Sequence, residues 1–332
     1  MSKHLSATHL NKSKPKRSLA NRPILLGVGV FLATLLVVVI GYGVQFAVVA
    51  ASEPQSRVQV FYEAQVQLPT QIIEPVALEV VTDSLQSLLA DVGISEEQLS
   101  ELPRPAIDTI LPGGLDVARP EDLLPLAATP IYALTPAAAT PGGVPVLALE
   151  NYTNTVIEPI TARWTVTGKQ DGWVRVIVPV GRGALPSVDP DAVNHQAVWV
   201  PEAAVSIEAE RNRIEVSLAD RAVTVFHDDV AVGTFHVGIG AFGRSETPAG
   251  LCSVIARVII QTGAESLLTS CQSERLDAYA GATWATIALH EGAGFSETMG
   301  GAISNGCVRV SPANFAAYLD DLPIGTPVLF TP

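Results

Sequence analysis

Positive charge is scarce beyond the N-terminal tail of this sequence. The 332 residues contain 20 Lys+Arg and 33 Asp+Glu, a formal net charge of −13. Six of the basic residues lie in the first 22 positions, so 14 remain against 33 acidic residues, a net of −19, and Lys169 is the only lysine among the 14. Binding to nucleic acid requires a basic face. The acidic balance therefore excludes nucleic acid as an expected partner.

Cysteine and histidine are also scarce. There are three cysteines, all in the last third of the chain, and an odd number leaves one thiol over in an oxidising compartment. The economical assignment pairs Cys252 with Cys271 and leaves Cys307 free and reactive, with two unpaired core cysteines as the alternative. The six histidines are scattered, and none has the helical spacing to a carboxylate that metal-binding motifs show. We expect no metal and no cofactor.

The N-terminus combines a basic tail with a long apolar run. Residues 1–23 contain six basic residues and no acidic one, and the 28 residues from 24 to 51 contain no charge. A helix needs roughly 20 apolar residues to cross a bilayer, and basic residues stay on the cytoplasmic side. The sequence predicts a single-pass protein of the cell membrane, with its N-terminus inside and its domains on the extracytoplasmic side. A secretory signal cleaved after Ala51 is the alternative, because Val49 and Ala51 are small enough for a peptidase site.

Residues 52–125 read as an extracytoplasmic stalk with short helices. Prolines interrupt this segment repeatedly, which prevents a long regular element. Within it, apolar residues from Leu85 to Val92 recur at helical spacing, and the pair Ser95 and Gln98 fits a capping box. These patterns predict packing helices and indicate no chemistry.

From residue 126 to 208, short β-rich runs alternate with turns. This spacing predicts a small β-barrel of about 80 residues, with Trp173 and Trp199 in its core rather than on a ligand platform. The order of a turn glycine, Trp173 and a later Val-Trp-Val resembles the bacterial Src-homology-3-like modules of cell-wall proteins.

Residues 209–332 show the most regular pattern of the chain. The runs Arg213–Leu218 and Ala222–Phe226 alternate with period two and are followed by a third run at 230–237. Such runs predict antiparallel hairpins rather than βαβ units. A further β-run ends at His290, a short helix is expected over 312–322, and a closing strand over 326–330.

The nucleophile motif is Ser304-Asn305-Gly306-Cys307-Val308-Arg309, which lies seventeen positions after His290. A thiol nucleophile needs an imidazole to take its proton and nearby positive charge to lower its pKa. Glycine lets the backbone approach a substrate carbonyl closely, so that main-chain N–H groups can face a developing oxyanion. The pattern therefore predicts thiol acyl transfer at Cys307. A buried structural cysteine is the alternative.

Taken together, these residues resemble the catalytic domain of L,D-transpeptidases of the YkuD type. The resemblance covers residues 209–332. It rests on the order of the opening hairpin, the segment Thr247-Pro248-Ala249-Gly250, the strand ending in His290 and the motif around Cys307. It implies a mainly β catalytic domain, a β-sandwich with its cysteine in a cleft.

The resemblance also implies roles for individual residues. Cys307 is the expected nucleophile and His290 its general base, while the Thr-Pro-Ala-Gly segment is expected to be structural. Two positions depart from the family pattern: Asn305 stands where many members have a second histidine, and Glu291 where glycine is common. The residues expected to shape the substrate and oxyanion pocket are Ser304, Asn305, Gly306 and Arg309.

The substrate implied by the resemblance is the stem peptide of peptidoglycan. The thiolate would attack the carbonyl between diaminopimelate and the terminal D-alanine, and an amine of a neighbouring stem would then form the cross-link. A papain-like protease usually has Cys before His, and a sortase separates the two much more widely. A non-catalytic wall-binding protein, an L,D-carboxypeptidase and another thiol acyl transferase remain as alternatives.

Overall fold

The computed structural model describes residues 84–154, 159–259, 263–292 and 299–332. The predicted cytoplasmic tail, the predicted membrane helix at 24–51 and the first part of the predicted stalk lie outside these ranges. Within the described ranges no helix is both long enough and apolar enough to span a bilayer.

Two eight-stranded sheets make up most of the described chain, and both belong to one compact unit. The first, called the upstream sheet here, follows two short helices, α1 (84–91) and α2 (Glu96–Glu101). Three short 3-10 helices, Pro120–Asp122, Pro190–Ala192 and Glu202–Ala204, interrupt its connections. Its strands are β1 (Asp116–Val117), β2 (Leu126–Pro130), β3 (Leu134–Ala138), β4 (Pro145–Glu150), β7 (Trp164–Gln170), β8 (Trp173–Ile177), β9 (Gln196–Pro201) and β10 (Val205–Ala209).

The upstream sheet is antiparallel throughout, in the order β10-β2-β7-β8-β9-β3-β4, with β1 paired to β9. A separate hairpin of β5 (Tyr152–Asn154) and β6 (Pro159–Thr161) lies between β4 and β7 in the chain. Trp164 is almost fully buried in the core of this sheet, and Trp199 is also buried. Residues 126–208, which were predicted as a small β-barrel, therefore lie in a β-rich region. The upstream sheet also includes β1, which belongs to the predicted stalk.

The second sheet, called the C-terminal sheet here, has the order β13-β12-β11-β20-β15-β16-β17-β19. A parallel pair, β14 (Ile239–Gly240) with β18 (Ala302–Ser304), accompanies it, and helix α3 (Pro312–Tyr318) follows β19. Its strands are β11 (Asn212–Ser217), β12 (Ala222–His227), β13 (Val230–His236), β15 (Gly250–Ile259), β16 (Glu265–Gln272), β17 (Thr286–Glu291), β19 (Val308–Val310) and β20 (Pro327–Thr331).

The pairing of the C-terminal sheet confirms the predicted hairpins. β11, β12 and β13 are antiparallel neighbours, as the period-two alternation indicates. Two pairs are parallel, β11 with β20 and β17 with β19. Buried residues from both ends of the sheet, such as Val223 and Val308, share one core with Phe315 of α3. The sheet therefore encloses its own core, and its outer face remains for other contacts.

The helices before the upstream sheet pack onto it. Ser95 accepts the N–H of Gln98 and the Gln98 side chain accepts the N–H of Ser95, which confirms the predicted capping box. Leu89 and Leu99 are buried in one cluster with Tyr132 of the upstream region. From residue 84 onward the predicted stalk is thus folded against the upstream sheet.

The two sheets are joined by buried contacts. The hydroxyl of Thr165 on β7 lies 2.7 Å from Ser253 Oγ and 2.8 Å from Gly325 O, both in the C-terminal region. Ile177 of β8 and Leu251 of β15 share a small apolar cluster. The upstream sheet therefore covers part of the outer face of the C-terminal sheet.

Candidate active site

Cys307 and His290 are placed by two neighbouring parallel strands. Cys307 directly precedes β19, and His290 lies on β17, where it pairs with Arg309. One position earlier in the same register, Leu289 pairs with Val308, and both are fully buried in the core. Because successive side chains of a strand point to opposite faces, Cys307, His290 and Arg309 share the face turned away from that core. The two predicted catalytic residues are therefore brought together.

The thiol of Cys307 is free and lies among apolar groups. Its Sγ is 3.8 Å from the carbonyl oxygen of Thr286, and the residue packs against a cluster of buried apolar side chains that includes Ala288. Burial raises the pKa of the Cys307 thiol, and a backbone hydrogen bond from Ala288 and the charge of Arg309 oppose this only in part. The thiol is accordingly protonated at neutral pH until a base takes its proton.

His290 is oriented by its neighbour in the chain. Its Nδ1 lies 2.9 Å from the carbonyl oxygen of Glu291. A carbonyl can only accept a hydrogen bond, so the neutral ring carries its proton on Nδ1 and leaves Nε2 as the acceptor. Burial lowers the pKa of His290, the Glu291 carbonyl opposes this, and the charge of Arg309 lowers the pKa further. The ring is therefore a neutral base with its free nitrogen available for a proton.

Hydrogen bonds inside the turn from Ser304 to Cys307 fix its shape. The Ser304 hydroxyl donates to Cys307 O over 2.6 Å and accepts the N–H of Gly306 over 3.1 Å. Gly306 has φ +118°, and a Cβ at this position would lie 2.9 Å from Ile287 Cδ1. The positive φ favours glycine here, and a Cβ would also force the end of the Ile287 side chain to shift. Ser304 is buried and acts within the turn, and the Gly306 N–H already has its partner there.

Two further side chains, those of Ser245 and Thr247, donate hydrogen bonds to the turn from Ser304 to Cys307. The Ser245 hydroxyl donates to Ser304 O over 2.9 Å. Thr247 Oγ1 donates to Gly306 O over 2.7 Å and accepts the N–H of Gly240 over 2.9 Å. Thr247 belongs to the segment expected to be structural. Sequence reasoning missed Ser245, whose only signal is its position two residues before Thr247.

The two departures from the family pattern have definite partners. The Asn305 side chain is exposed, and its Nδ2 donates to the hydroxyl of Tyr279 over 3.0 Å. The Glu291 carboxylate accepts the backbone N–H of Glu265 on the neighbouring strand over 3.3 Å. Asn305 thus connects the nucleophile turn to a loop that the sequence did not single out, and Glu291 ties its strand to the start of β16.

A disulfide joins Cys252 on β15 to Cys271 on the adjacent β16, with the two Cα atoms 5.6 Å apart. Among the described residues these two cysteines and His195 form one group whose potential ligand atoms lie within 4.8 Å of one another. Both sulfurs are used in the S–S bond, so the group provides no thiolate for a metal. His195 instead lies with its ring nitrogens 3.0 Å from Ala249 O and Leu251 O.

Comparison with known proteins finds one family model that matches the region of this site. No curated protein matches the chain. Among solved structures, an L,D-transpeptidase from Mycobacterium smegmatis is 17% identical, with 48% of this chain and 91% of that chain covered and a TM-score of 0.30. An L,D-transpeptidase from Mycobacterium tuberculosis is also 17% identical, with 48% of this chain and 90% of that chain covered and a TM-score of 0.32. The catalytic domain of the E. faecium L,D-transpeptidase is 20% identical, with 36% of this chain and 96% of that chain covered and a TM-score of 0.27. Residues 211–329, which carry both Cys307 and His290, match the family model of the YkuD L,D-transpeptidase catalytic domain.

Proposed function

We propose that this protein is a peptidoglycan L,D-transpeptidase that works through an acyl-enzyme on Cys307. The observation that carries the proposal is the placement of a free thiol and a neutral imidazole on one face of two neighbouring parallel strands. Both residues lie inside the region that matches the family model. The match supports the reaction class, and the placement of Cys307 and His290 supports their proposed roles.

The acylation step uses His290 first as a base and then as an acid. As Sγ of Cys307 attacks the carbonyl carbon before the terminal D-alanine, the thiol proton passes to Nε2 of His290. The C–N bond to D-alanine then breaks, and the imidazolium returns the proton to the departing amine. General base assistance of this kind contributes about 10²- to 10⁴-fold to the rate.

The second step transfers the acyl group to an amine. A side-chain amine of a neighbouring stem peptide gives its proton to His290 and attacks the thioester carbon. The new C–N bond forms as the C–S bond breaks, and the Cys307 sulfur recovers its proton from the imidazolium. The product is a cross-link between two diaminopimelate residues, and the enzyme returns to its starting state.

We also propose that the enzyme works at the cell-wall side of the membrane, held by residues 24–51. The support is the charge asymmetry of the N-terminus, because basic residues favour the cytoplasmic side of a membrane. N-terminal sequencing of the protein isolated from membranes is the test. A mature chain beginning at Ser52 would contradict the anchor.

Intact-protein mass spectrometry with a carbapenem tests the acyl-enzyme. The strained lactam amide acylates a competent thiol, so the wild-type protein should gain one drug mass and Cys307→Ala should gain none. A wall-binding protein without catalysis would gain none in either form. Equal labelling of the two proteins would show that another residue reacts.

Product analysis separates transpeptidation from hydrolysis. With a tetrapeptide donor and an acceptor stem, we expect released D-alanine and a cross-linked dimer in equal amounts. An L,D-carboxypeptidase would release D-alanine and leave only tripeptide, because water replaces the amine in the second step. That outcome would retain Cys307 as the nucleophile and contradict the cross-linking role.

A further inference from the structure

The connection between β8 and β9 of the upstream sheet reaches into the C-terminal region through Arg182. Only 3% of this residue is exposed. One guanidinium nitrogen donates to Asp277 O over 2.9 Å, and the other donates to Thr283 O over 3.0 Å. Asp277 and Thr283 lie in the loop 273–285, which connects β16 to β17. A single arginine therefore holds both sides of this loop.

Other residues of the upstream region also bond to Asp277 and Thr283. The Asp277 carboxylate accepts the backbone N–H of Ser187 over 2.9 Å and its hydroxyl over 2.6 Å. The Thr283 hydroxyl donates to the carboxylate of Asp108 over 3.2 Å. The contacts of Arg182 therefore belong to a set that joins the loop to the upstream region from two directions.

The base of the loop is fixed in the same way. Asn194, which is buried, donates to Gln272 O over 2.8 Å and accepts the Gln272 N–H over 2.7 Å. The Gln272 side chain donates to Ile107 O over 2.6 Å. These bonds join residues 78 and 165 positions apart in sequence, so they form only when the upstream sheet docks.

The tip of the loop touches the turn that carries the nucleophile. After Asp277 the chain makes a tight reversal, in which the Tyr279 N–H donates to Trp284 O and the Ala282 N–H donates to Tyr279 O. At this reversal the Tyr279 hydroxyl accepts the Asn305 side chain, two residues before Cys307. The path from Arg182 to the nucleophile turn is therefore continuous.

The burial of Arg182 is costly for stability alone. Its hydrogen-bond partners are neutral oxygens, namely the carbonyls of Asp277 and Thr283 and, at 3.4 Å, the Gln272 side-chain oxygen. The carboxylates of Asp277 and Asp108 act on it through their charge, and burial still lowers the pKa of Arg182. Its Nε is buried without a hydrogen-bond partner. Taking a charge out of water is expensive unless the charge is well compensated, and an apolar residue often serves stability equally well. What the guanidinium adds is a rigid fork that fixes two carbonyls at once.

We propose that Arg182 is a positioning residue for the active site, through which the upstream sheet holds the loop 273–285 beside the nucleophile turn. This inference rests on the proposed function for its kinetic readout only. Arg182 itself bonds to Gln272, Asp277 and Thr283 rather than to Cys307 or His290. It acts through Tyr279 and Asn305.

The test compares Arg182→Lys with the matched control Arg175→Lys. Arg175 is another buried arginine of the upstream sheet, but it bonds Val117 O and the carboxylates of Asp116 and Asp122, all upstream. We expect Arg182→Lys to lower kcat/KM for D-alanine release by about 10- to 100-fold, because displacements near 1 Å at an active site have effects of this size. Arg175→Lys should stay within about twofold of the wild type.

A double-mutant cycle with Tyr279→Phe distinguishes positioning from a general loss of stability. Tyr279 is about half exposed, so removing its hydroxyl leaves the fold intact. Loss of this one hydrogen bond should lower kcat/KM by about 3- to 10-fold in the wild-type background. In the Arg182→Lys background it should change kcat/KM less than twofold, because the loop no longer holds the tyrosine in place. Multiplicative effects, or equal effects of the two lysine variants, would overturn the inference.

Hydrogen exchange tests the same inference without any substrate. Amides of residues 277–285 should exchange at least tenfold faster in Arg182→Lys than in the wild type and in Arg175→Lys. If the wild-type protein releases no D-alanine, the proposed function fails, and hydrogen exchange alone then tests whether Arg182 holds the loop 273–285. Unchanged exchange in Arg182→Lys would contradict this role of Arg182 even if the enzyme is active.

Discussion

Replacing Thr247 by valine should weaken the nucleophile turn while leaving every catalytic group in place. The Thr247 hydroxyl is buried, donates to Gly306 O over 2.7 Å and accepts the Gly240 N–H over 2.9 Å. Valine has nearly the same shape and can make neither bond. The change therefore leaves one backbone donor and one backbone acceptor without partners behind Cys307.

The expected magnitude follows from those two groups. Each of the two buried polar groups left unsatisfied costs about 1–3 kcal/mol, so the free energy of unfolding should fall by about 2–6 kcal/mol. For a unit of this size that corresponds to a Tm lower by roughly 5–25 °C. Because Gly306 precedes the nucleophile directly, kcat/KM for D-alanine release should also fall, by about 10- to 100-fold.

Thr326→Val is the matched control. Thr326 is fully buried in the same domain, but its hydroxyl has no hydrogen-bond partner. Removing this hydroxyl should leave the Tm unchanged or raise it slightly, with kcat/KM within about twofold of the wild type. Urea unfolding and D-alanine release on both variants decide the matter. Equal stability of the two variants would refute the argument that the Thr247 bonds support the turn.

Four further outcomes follow from the site. Cys307→Ala should abolish D-alanine release and keep the Tm within a few degrees, and release at the wild-type rate would show a different nucleophile. The acid limb of kcat/KM should lie below about pH 6.5, because burial lowers the pKa of His290 and the base stays neutral as the pH falls. The alkylation rate of Cys307 should still rise above about pH 8.5, because burial raises its pKa, and a plateau near neutral pH would contradict a protonated thiol. Replacing both Cys252 and Cys271 by alanine should lower the free energy of unfolding, measured with urea, by about 3 kcal/mol. The folded variant should still release D-alanine, because Cys307 is unchanged.

Local patterns explain what could be predicted from the sequence. The alternation in β11 and β12 has period two because one face of each of these strands is buried, and that regularity is visible in each segment by itself. The capping box at Ser95 is equally local. The motif around Cys307 and the strand that ends near His290 could be recognised in the sequence because these residues are chemically unusual together. The parallel register of the two strands was not predicted.

Elements without a local signal were not predicted. Strand β3 contains Pro136 and β4 begins at Pro145. Both strands contain few of the β-branched residues that are typical of strands. Strand β16 was missed as well, since its central residues are mostly buried and show no alternation. The contacts of Arg182 and Asn194 join positions 78 to 101 residues apart, and no local pattern reports such pairs.

The upstream sheet also affects the chemistry of the nucleophile. The apolar cluster against which Cys307 packs includes Val180 of the β8–β9 connection, with Ile160 of β6 beside it. Burial is the main cause of the raised pKa of the thiol, so part of that burial comes from outside residues 211–329. In the proposed mechanism, a thiol that stays protonated until His290 accepts its proton reacts only when substrate is correctly placed. The upstream region, by adding to the burial of Cys307, therefore contributes to keeping its thiol neutral.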